Sequence, residues 1–408
     1  MFTFIKIAWR NIIRNKKRST ITLSAVGFGL GALIFIWAFV DGAHQQMIEN
    51  YTSLISGHIQ IHAKGFHQKE QLETYITQPE EITSLLNTNP RLLAITHRIK
   101  ATGLVSSSEH SAGVYILGID PKREKGVSTI NRKVKEGAFL QENSDKEILL
   151  GVRLAENLNV GLDEKIVIMS QALDGSIAAG AFYVKGLLDT GTEEIDKGVV
   201  IITHKAAEDL FVMHGKTSEI VIRLKDVEEA QNVSVLIRQE LNSPELEILP
   251  WQELSAILAQ WIEFDNAFVY LIVIVVMIVV AVGILNTVLM SVIERTREFG
   301  ILLALGTKRK QILAMVAWES LFLGVIGSLF GSILGILLSL YLGKTGIDLS
   351  MFASALTSFY MDPYIYPVLK IERITISIVL VLVTSVIVSL YPAWLAANLK
   401  PVQAIRSI

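Results

Sequence analysis

The feature that most constrains this chain is a run of about 27 residues, 267–293, that contains no charged side chain. An α-helix rises 1.5 Å per residue, so about 20 apolar residues are enough to cross the hydrocarbon core of a bilayer. Three further runs, 20–40, 312–342 and 374–397, are apolar over a similar length, apart from Glu319 within 312–342. The sequence therefore predicts an α-helical membrane protein with four transmembrane helices.

The composition excludes several classes of function. Hydrophobic residues make up 51% of the chain and charged residues 19%, a lighter charge load than a typical soluble domain carries. The formal net charge of −2 indicates no basic surface for a polyanion, so we exclude nucleic acid as a partner. The chain contains no cysteine, which excludes disulfides, thiolate metal sites and cysteine-linked lipid anchors.

Basic residues near the two ends of the chain orient the helices. Residues 1–19 contain 6 lysine or arginine side chains and no acid, among apolar residues at helical spacing. This pattern predicts an amphipathic helix on the cytoplasmic leaflet, followed by an uncleaved anchor at 20–40 with its N-terminus inside. A cleaved signal peptide would have a shorter apolar run and an A-x-A site, which does not follow here. Lys400 and Arg406 place the tail, 398–408, in the cytoplasm as well.

Glycines recur at a spacing of four in two of the apolar runs. Gly27 and Gly31 form one G-x-x-x-G pair, and Gly327, Gly331 and Gly335 form a double one. Small residues at this spacing let two helix backbones approach closely, so we expect these faces to pack against other helices. Simple tolerance of glycine in lipid stays open as the other interpretation. Four helices cannot bury these faces and also enclose a path across the membrane, so we expect a second membrane chain as partner.

Residues 41–266 form a large, more polar segment between the first two apolar runs, and alternation across the membrane places it outside the cell. Both of its ends have helical patterns that continue the flanking spans, and pairing of the two would form a stalk. Between them, strand and helix patterns alternate, which predicts an α+β domain with two lobes divided near Gly215. The predicted strands are His58–His62, Gly113–Ile119, Lys146–Leu150, Lys165–Ser170, Ala181–Leu188, Gly198–Thr203 and Glu219–Leu224, and the predicted helices are Pro79–Asn87, Val152–Leu158, His204–Phe211 and Val227–Leu241. A shorter polar and aromatic segment, 343–373, is expected as a second extracytoplasmic loop.

The charged segment 294–311 interrupts the apolar pattern between the second and third predicted spans. Its charges must lie in water or at the headgroups, and its excess of lysine and arginine places it on the cytoplasmic side. Phe299, Leu302 and Leu303 recur at helical spacing, which predicts a short amphipathic helix ending near Gly306. From the residues alone, two interpretations stay open: the helix lies on the membrane interface, or it occupies a groove on a partner protein.

The string ERTREFGILLALGTKRKQI, residues 294–312, resembles the signature of the MacB/FtsX superfamily of ATP-binding-cassette permeases. The resemblance implies a coupling helix that enters a cleft on a cytoplasmic ATPase dimer. It also implies that ATP and magnesium bind to that partner, and that this chain is a non-catalytic subunit without a cofactor or metal of its own. Phe299, Leu302 and Leu303 are then expected to supply the buried contact, with charged residues as its polar rim. The implied coupling residues are Glu294, Arg295, Arg297, Glu298, Phe299, Gly300, Leu302, Leu303 and Gly306.

The extracytoplasmic segment is similar to the lipoprotein-releasing permeases of this superfamily, LolC and LolE. That family has a "G..LA..L.V" run and then a "V.G....G..E.D" run, and an ending in which proline and alanine alternate at intervals of a few residues. The residues that match these patterns are Gly151, Leu154, Ala155, Leu158, Val160, Gly186, Gly191, Glu194, Asp196, Pro392, Ala396, Pro401 and Ala404.

The resemblance also has consequences for location and substrate. It implies a bacterial inner-membrane protein that extracts or exports a lipoprotein or another hydrophobic substrate. The implied partners are the ATPase, a second permease chain of the same or a related kind, membrane lipids and a periplasmic carrier or acceptor. The alternative is an FtsX-like subunit that transmits force to a periplasmic partner without transport.

Two other patterns bear on chemistry. The tripeptide 343–345, Gly-Lys-Thr, lacks the earlier glycine of a phosphate-binding loop because Leu338 stands there, so nucleotide is expected on a separate subunit. His58, His62 and His67 could offer imidazoles to zinc, but no H-E-x-x-H motif accompanies them. A solvated face of a strand is the simpler interpretation of these histidines.

Glu319 is the single charge in the predicted span 312–342. A carboxylate at the centre of a membrane helix costs about 2.5–3.5 kcal/mol on insertion scales, so it calls for a partner or a function. Two roles stay open: an ion pair with Arg295 or Arg297, or a part in gating.

Overall fold

The computed structural model of the protein describes residues 16–357, 359–400 and Ala404. Most of the predicted amphipathic helix, residues 1–15, lies outside the described residues, as do Pro401 and Arg406. The described residues form two compact units. The membrane unit comprises the residues up to 45, those from 262 to 349 and those from 364 onward, and the extracytoplasmic unit comprises 46–261 and 350–363.

The α-helices in chain order are α1 (Lys16–Tyr51), α2 (Phe66–Lys69), α3 (Pro79–Leu86), α4 (Pro121–Val127), α5 (Val152–Leu158), α6 (Glu193–Gly198), α7 (His204–Phe211), α8 (Ala230–Leu241), α9 (Trp251–Leu254), α10 (Ala256–Glu294), α11 (Thr296–Ala304), α12 (Arg309–Thr345), α13 (Ala353–Thr357) and α14 (Ile371–Ala397). The strands are β1 (Ile59–Ala63), β2 (Leu92–Ser106), β3 (Ser111–Ile119), β4 (Val134–Gly137), β5 (Glu147–Gly151), β6 (Lys165–Gln171), β7 (Ile177–Leu188), β8 (Val199–Thr203), β9 (Glu219–Leu224), β10 (Leu246–Pro250), β11 (Ile347–Asp348) and β12 (Tyr364–Ile365). Thr52–Ser56 forms a π-helical turn, and Ile130–Arg132, Val227–Glu229 and Ser350–Phe352 form 3₁₀ turns.

Within the part of the chain that the structure describes, 4 helices are long and apolar enough to cross a membrane: α1, α10, α12 and α14. A bilayer offers no water to unpaired backbone groups, and a helix satisfies those groups internally. The helix α1 continues to Tyr51 and α10 begins at Ala256, so both extend past their apolar runs. This confirms the helical continuations that the sequence predicts.

The glycines singled out in the sequence lie where α1 crosses α12. A β-carbon placed on Gly331 would lie 2.6 Å from the carbonyl oxygen of Gly27. One placed on Gly335 would lie 2.9 Å from the carbonyl oxygen of Gly31, and one on Gly327 would lie 2.6 Å from the side chain of Val26. Any side chain larger than hydrogen would force the two backbones apart, so the small residues are what allows this close approach.

The strands β1 to β10 form one sheet in the order β10-β1-β9-β2-β3-β8-β5-β7-β4, with β6 paired to β2 and β7. The pairs β3–β8 and β5–β7 are parallel, and the β9 pairs with β1 and β2 are antiparallel. Because β9 follows Gly215 and lies hydrogen-bonded between β1 and β2, the sheet joins residues from both sides of that glycine. The sheet is continuous across Gly215, and the division into two lobes near this glycine stays a prediction. The fold class, four membrane helices with an α+β domain between the first two, is confirmed.

The predicted strands and helices of the extracytoplasmic unit are all present, with ends shifted by a few residues. The sequence patterns do not predict β2, β4 and β10. In β2, His97, Arg98 and Lys100 interrupt the alternation of apolar and polar residues, although the first two are buried. A charge in a buried strand needs a partner from elsewhere in the chain, and such a partner leaves no local pattern.

One face of the sheet packs under α5 and α7 into a continuous apolar core. The core residues contributed by β2, β3 and β8 include Ile99, Ala101, Val114, Ile116, Val200 and Ile202. Side chains alternate between faces along a strand, so the intervening residues lie on the second face.

The second face carries a row of charged side chains at one register, here called the charged row. Glu247 of β10 pairs with His62 of β1, His62 with Glu219 of β9, and Glu219 with Arg98 of β2. Beyond it, Leu54, Ile130, Leu188, Ile195 and Ile201 belong to a second, smaller apolar cluster.

Candidate functional site

The charged segment between α10 and α12 folds as a helix with a defined end. Its helix, α11, is preceded by Arg295, whose backbone angles of φ −107° and ψ 14° are not helical. The amides of Gly306 and Thr307 donate to the carbonyls of Leu303 and Leu302 over 3.1 and 3.0 Å. Gly306 has φ +89°, a left-handed conformation that glycine adopts without steric penalty.

The side chains of this segment differ sharply in exposure. Phe299 is fully buried, Gly300 is buried, and Leu302 and Leu303 are half-buried. Phe299 belongs to an apolar cluster of the membrane unit that includes Ile312, Met315 and Ala396, and both leucines pack against it. The exposed residues of the segment include Glu294, Arg297, Glu298, Ile301, Ala304, Leu305 and Gly306.

The apolar face predicted as the docking surface is therefore turned toward the chain itself. Periodicity identifies correctly which face of a helix is buried, but it does not say which elements cover that face. In this structure α12 and the end of α14 cover Phe299. The face left open combines charged side chains with Ile301, 44% exposed, and Leu305, 78% exposed.

Beneath that open face lies a buried ion pair. Nη1 of Arg295 donates to Oε2 of Glu319 over 3.1 Å, and Ser291 donates its hydroxyl to the other carboxylate oxygen over 3.2 Å. Arg295 also donates through Nε to Glu298 over 2.8 Å, and its guanidinium lies 5.0 Å from the centre of the Phe299 ring. Arg295 and Glu319 are each only 5% exposed, so the buried carboxylate of Glu319 depends on Arg295 to compensate its charge.

The sequence leaves Arg295 and Arg297 as alternative partners for Glu319. In the structure the ion pair is made by Arg295, whereas Arg297 lies on the exposed face. The pair ties the residue that precedes α11 to the first half of α12. Its geometry suits a mechanical link between the two helices.

The histidines considered for zinc lie in a different setting from the one predicted. His58, Gln60 and His62 are all buried, so the interpretation as a solvated strand face is wrong: β1 lies between β9 and β10, and other elements cover this face. The Leu224 amide donates to Nδ1 of His58 over 3.1 Å, and burial, aided by Arg223, lowers the pKa of His58 to about 4. Among the described residues, no group of three or more histidine, cysteine or acidic side chains could hold a metal ion.

A buried ion cluster that sequence reasoning missed lies on the charged row. Arg98 donates to Glu124 over 2.6 Å and to Glu219 over 3.4 Å, and Nζ of Lys100 lies 2.8 Å from Glu219. Burial opposes the charge on Glu219, yet Lys100, His62 and Arg98 hold the pKa of its carboxyl well below the usual range. Two cations thus face two carboxylates. The sequence signal that could have indicated this ion cluster is Arg98, a charged residue among β-branched and apolar neighbours such as Ile95 and Ile99.

Two protein families match this chain. The family described as MacB-like periplasmic core domain matches residues 19–240, and the one described as FtsX-like permease C-terminal matches residues 270–401. The first match extends over more than half of the chain. The second match contains the charged segment 294–311, the buried ion pair and the glycine face of α12.

Individual relatives match along most of the chain. The lipoprotein-releasing system transmembrane protein LolC of Xylella fastidiosa is 24% identical over 407 residues, which cover 96% of this chain and 95% of LolC. The corresponding LolE of Haemophilus influenzae is 22% identical over 418 residues, or 98% of each chain. The macrolide export ATP-binding/permease protein MacB of Acinetobacter baylyi is 22% identical over 342 residues, which cover 81% of this chain and 50% of MacB.

Proposed function

This chain belongs to the MacB/FtsX superfamily of ATP-binding-cassette transporter permeases, and on that premise we propose that it passes work from a separate cytoplasmic ATPase to its extracytoplasmic unit. The ATPase, acting as a dimer, binds ATP and magnesium, and this chain contributes no catalytic residue. A phosphate-binding loop ending in the Gly-Lys-Thr at 343–345 would need a glycine at position 338, where this chain has Leu338. This supports the proposal that nucleotide binds to the separate ATPase.

The docking surface of the permease is the exposed face of α11. Arg297 and Glu298 supply its charges, and Ile301 and Leu305 supply apolar side chains that are exposed in the part of the chain that the structure describes. An amphipathic helix that presents a few apolar anchors within a polar rim fits a groove on a partner protein. This docking face differs from the one expected from the sequence, because the Phe299 side chain packs against apolar residues of its own chain.

The buried pair of Arg295 and Glu319 transmits the motion. A helix docked on a moving partner transmits that motion only if it is firmly joined to a membrane helix, here α11 to α12. Two buried charges separated by 3.1 Å resist separation, since parting them would leave the carboxylate of Glu319 buried without its cation and Arg295 with only the exposed Glu298. Arg295 and Glu319 are thus positioning residues, and this pair is the observation that carries the proposal.

The substrate is a lipoprotein or another lipid-anchored or hydrophobic molecule. The lipoprotein-releasing names of LolC and LolE, which match nearly the whole chain, support this class. We further propose that two permease chains, identical or related, assemble in the inner membrane of a bacterium, with both termini in the cytoplasm. A periplasmic carrier or acceptor protein would receive the substrate.

The domain limits follow the sequence. We propose spans at 20–40, 267–293, 312–342 and 374–397, with the coupling segment 294–311 inside and the segments 41–266 and 343–373 outside. The excess of lysine and arginine in 1–19, 294–311 and 398–408 supports this orientation.

The test reconstitutes the permease and its ATPase in nanodiscs and measures ATP hydrolysis with and without the permease. Arg297→Glu should abolish the stimulation of hydrolysis, whereas the matched Arg297→Lys should retain most of it. The fold of both variants is checked by their thermal unfolding, which this exposed position should leave unchanged. Full stimulation with Arg297→Glu would refute docking through this face.

A further inference from the structure

A cavity lies on the second face of the extracytoplasmic sheet, next to the charged row. Its volume is about 360 Å³, within the range of pockets that bind small molecules. Three strands form its floor at one register, because Lys100 of β2 pairs with Leu117 of β3, and Leu117 pairs with Ile201 of β8. Leu54, Ile130 and Ile195 are among the apolar side chains of its walls.

The same strands are packed completely on their other face. Val114 of β3 and Val200 and Ile202 of β8 are at most 5% exposed under the covering helices. On the cavity side, Leu117 and Val199 are only half-buried. The gap is thus confined to one face of otherwise tightly packed strands, at a place where apolar floor residues remain accessible.

The charges that line the cavity define the kind of ligand it accepts. Arg98 and Lys100 reach its edge, but both are already held by Glu219, and Arg98 by Glu124 as well. The exposed carboxylates Glu70 and Glu194 also lie on the lining. An anionic group would find both cations held by carboxylates and would face two further acids. A cationic group could approach Glu70 or Glu194 but would lie beside the like charges of Arg98 and Lys100. A neutral aliphatic chain meets neither obstacle.

We propose that this cavity binds a neutral aliphatic chain, such as an acyl chain of a lipid-anchored substrate. The inference deepens the proposed function and rests on it, because the cavity would shelter part of a hydrophobic cargo outside the membrane. The occupant is an alkyl chain without a charged group close to the floor. Burial of its methylene groups against Leu117, Val199 and Ile201 supplies the affinity.

The absence of cysteine from the sequence allows a direct test on the full-length protein. The variant Leu117→Cys places one thiol on the cavity floor, and the variant Val235→Cys places one on the exposed surface of α8 as a matched control. Both are reconstituted in nanodiscs, and the rate of modification by N-ethylmaleimide is measured with and without hexadecanol. Hexadecanol should slow the modification of Leu117→Cys several-fold and leave that of Val235→Cys unchanged.

Charge-matched probes and a filled cavity complete the experiment. Hexadecyl phosphate and hexadecyltrimethylammonium should protect Leu117→Cys less well than hexadecanol. A photoactivatable hexadecanol should cross-link to cavity peptides of the wild-type chain, which contains no cysteine. The same cross-link should be lost in the Leu117→Cys variant once its thiol has been modified with N-ethylmaleimide. Because this modification is made on the folded protein, it fills the cavity without affecting folding. Equal protection of the two thiols, no protection at all, or better protection by the phosphate would each overturn the proposal.

Failure of this proposal is distinguishable from failure of the proposed function. Stimulation of the partner ATPase by unmodified Leu117→Cys reports on coupling and does not require an occupied cavity. Coupling without protection would refute the cavity alone, whereas loss of stimulation in the wild-type chain would refute the proposed function.

Discussion

The guanidinium of Arg295 and the carboxylate of Glu319 lie 3.1 Å apart, although 24 positions separate the two residues along the chain. Arg295 precedes the short helix α11 and Glu319 belongs to α12, so this bond crosses the turn around Gly306. Both side chains are buried in the membrane unit.

Glu319→Gln should lower the stability of the protein and uncouple it from the ATPase. The substitution keeps the shape of the side chain but removes the charge that compensates Arg295, and breaking a buried pair in this way costs about 3–5 kcal/mol. Thermal unfolding in detergent measures the first effect and stimulated ATP hydrolysis the second. For the stability measurement, Glu298→Gln is the matched control, because Glu298 is exposed and its contact with the same arginine should contribute about 1 kcal/mol or less.

The double variant Arg295→Met with Glu319→Leu separates stability from transmission. Replacing both charges by apolar side chains of similar volume is often neutral or stabilising, so unfolding should return close to that of the wild type. Coupling should stay impaired, because the hydrogen-bonded link is gone. Restored coupling in this variant would show that the pair has only a structural role.

Leu305→Asp and Phe299→Ala should act in opposite ways. Leu305 is 78% exposed, so a carboxylate there should leave unfolding unchanged and weaken co-purification of the ATPase. Phe299 is fully buried, and truncation to alanine should cost about 3–5 kcal/mol of stability by leaving a cavity. Thermal unfolding and affinity for the ATPase are measured on both variants. If Phe299→Ala weakened binding of the ATPase and Leu305→Asp did not, the assignment of the docking face to Leu305 would be wrong.

Gly331→Ala should destabilise the membrane unit by about 1–3 kcal/mol, the usual range for overpacking. Its β-carbon would meet the carbonyl oxygen of Gly27 at 2.6 Å and the β-carbon of Leu30 at 2.9 Å, and backbone atoms cannot rotate away. Gly283→Ala is the control within α10, since its nearest contact, the β-carbon of Ala25, is at 3.3 Å. Unfolding in a graded detergent series compares the two, and equal stability would argue against close helix contact at Gly331.

The extracytoplasmic unit should lose stability on mild acidification, in part through His58. Burial lowers the pKa of this histidine from its ordinary 6.5 to about 4, so between these values the unfolded chain binds a proton that the folded chain does not. Stability therefore falls as the pH drops through this window, by roughly 2 kcal/mol for this group at pH 5. Protonation of Nδ1 would also break its bond from the Leu224 amide.

His58→Asn tests the assignment, since its side-chain oxygen can accept the same bond but does not titrate. Hydrogen exchange of the Leu224 amide, corrected for the intrinsic effect of pH, should depend less on pH in this variant. An unchanged pH dependence would assign the effect to other groups, such as His97, whose pKa burial also lowers to about 4.

The membrane helices and most strands could be predicted because their physical causes are local. A bilayer requires a continuous apolar run, and a half-buried strand requires alternation, and both are visible in any short window of sequence. The spacing of Phe299, Leu302 and Leu303 likewise predicts the short helix that the structure has at Thr296–Ala304. These features do not depend on which distant residue becomes a neighbour.

The parts that could not be predicted depend on distant partners. Arg98 can be buried in β2 only because Glu124 and Glu219 arrive from other elements, and no pattern around residue 98 announces them. The residues that cover Phe299 are also distant in sequence, because its periodicity fits a cover by α12 and α14 as well as a cover by another protein. The choice of Arg295 over Arg297 as the partner of Glu319 also required the helix geometry.

The charged row has a consequence for how the sheet assembles. Alternation along β9 puts Glu219 on one face and Ile220 and Ile222 on the other, so a slip by a single position against β2 would exchange them. Glu219 would then lie in the apolar core without Arg98 or Lys100, and Ile220 and Ile222 would lie beside these two cations, which would have lost their carboxylate partner. Electrostatics as well as shape thus disfavours a shifted register of β9 against β2. The correct alignment of these strands is specified by three side chains, those of Glu219, Arg98 and Lys100.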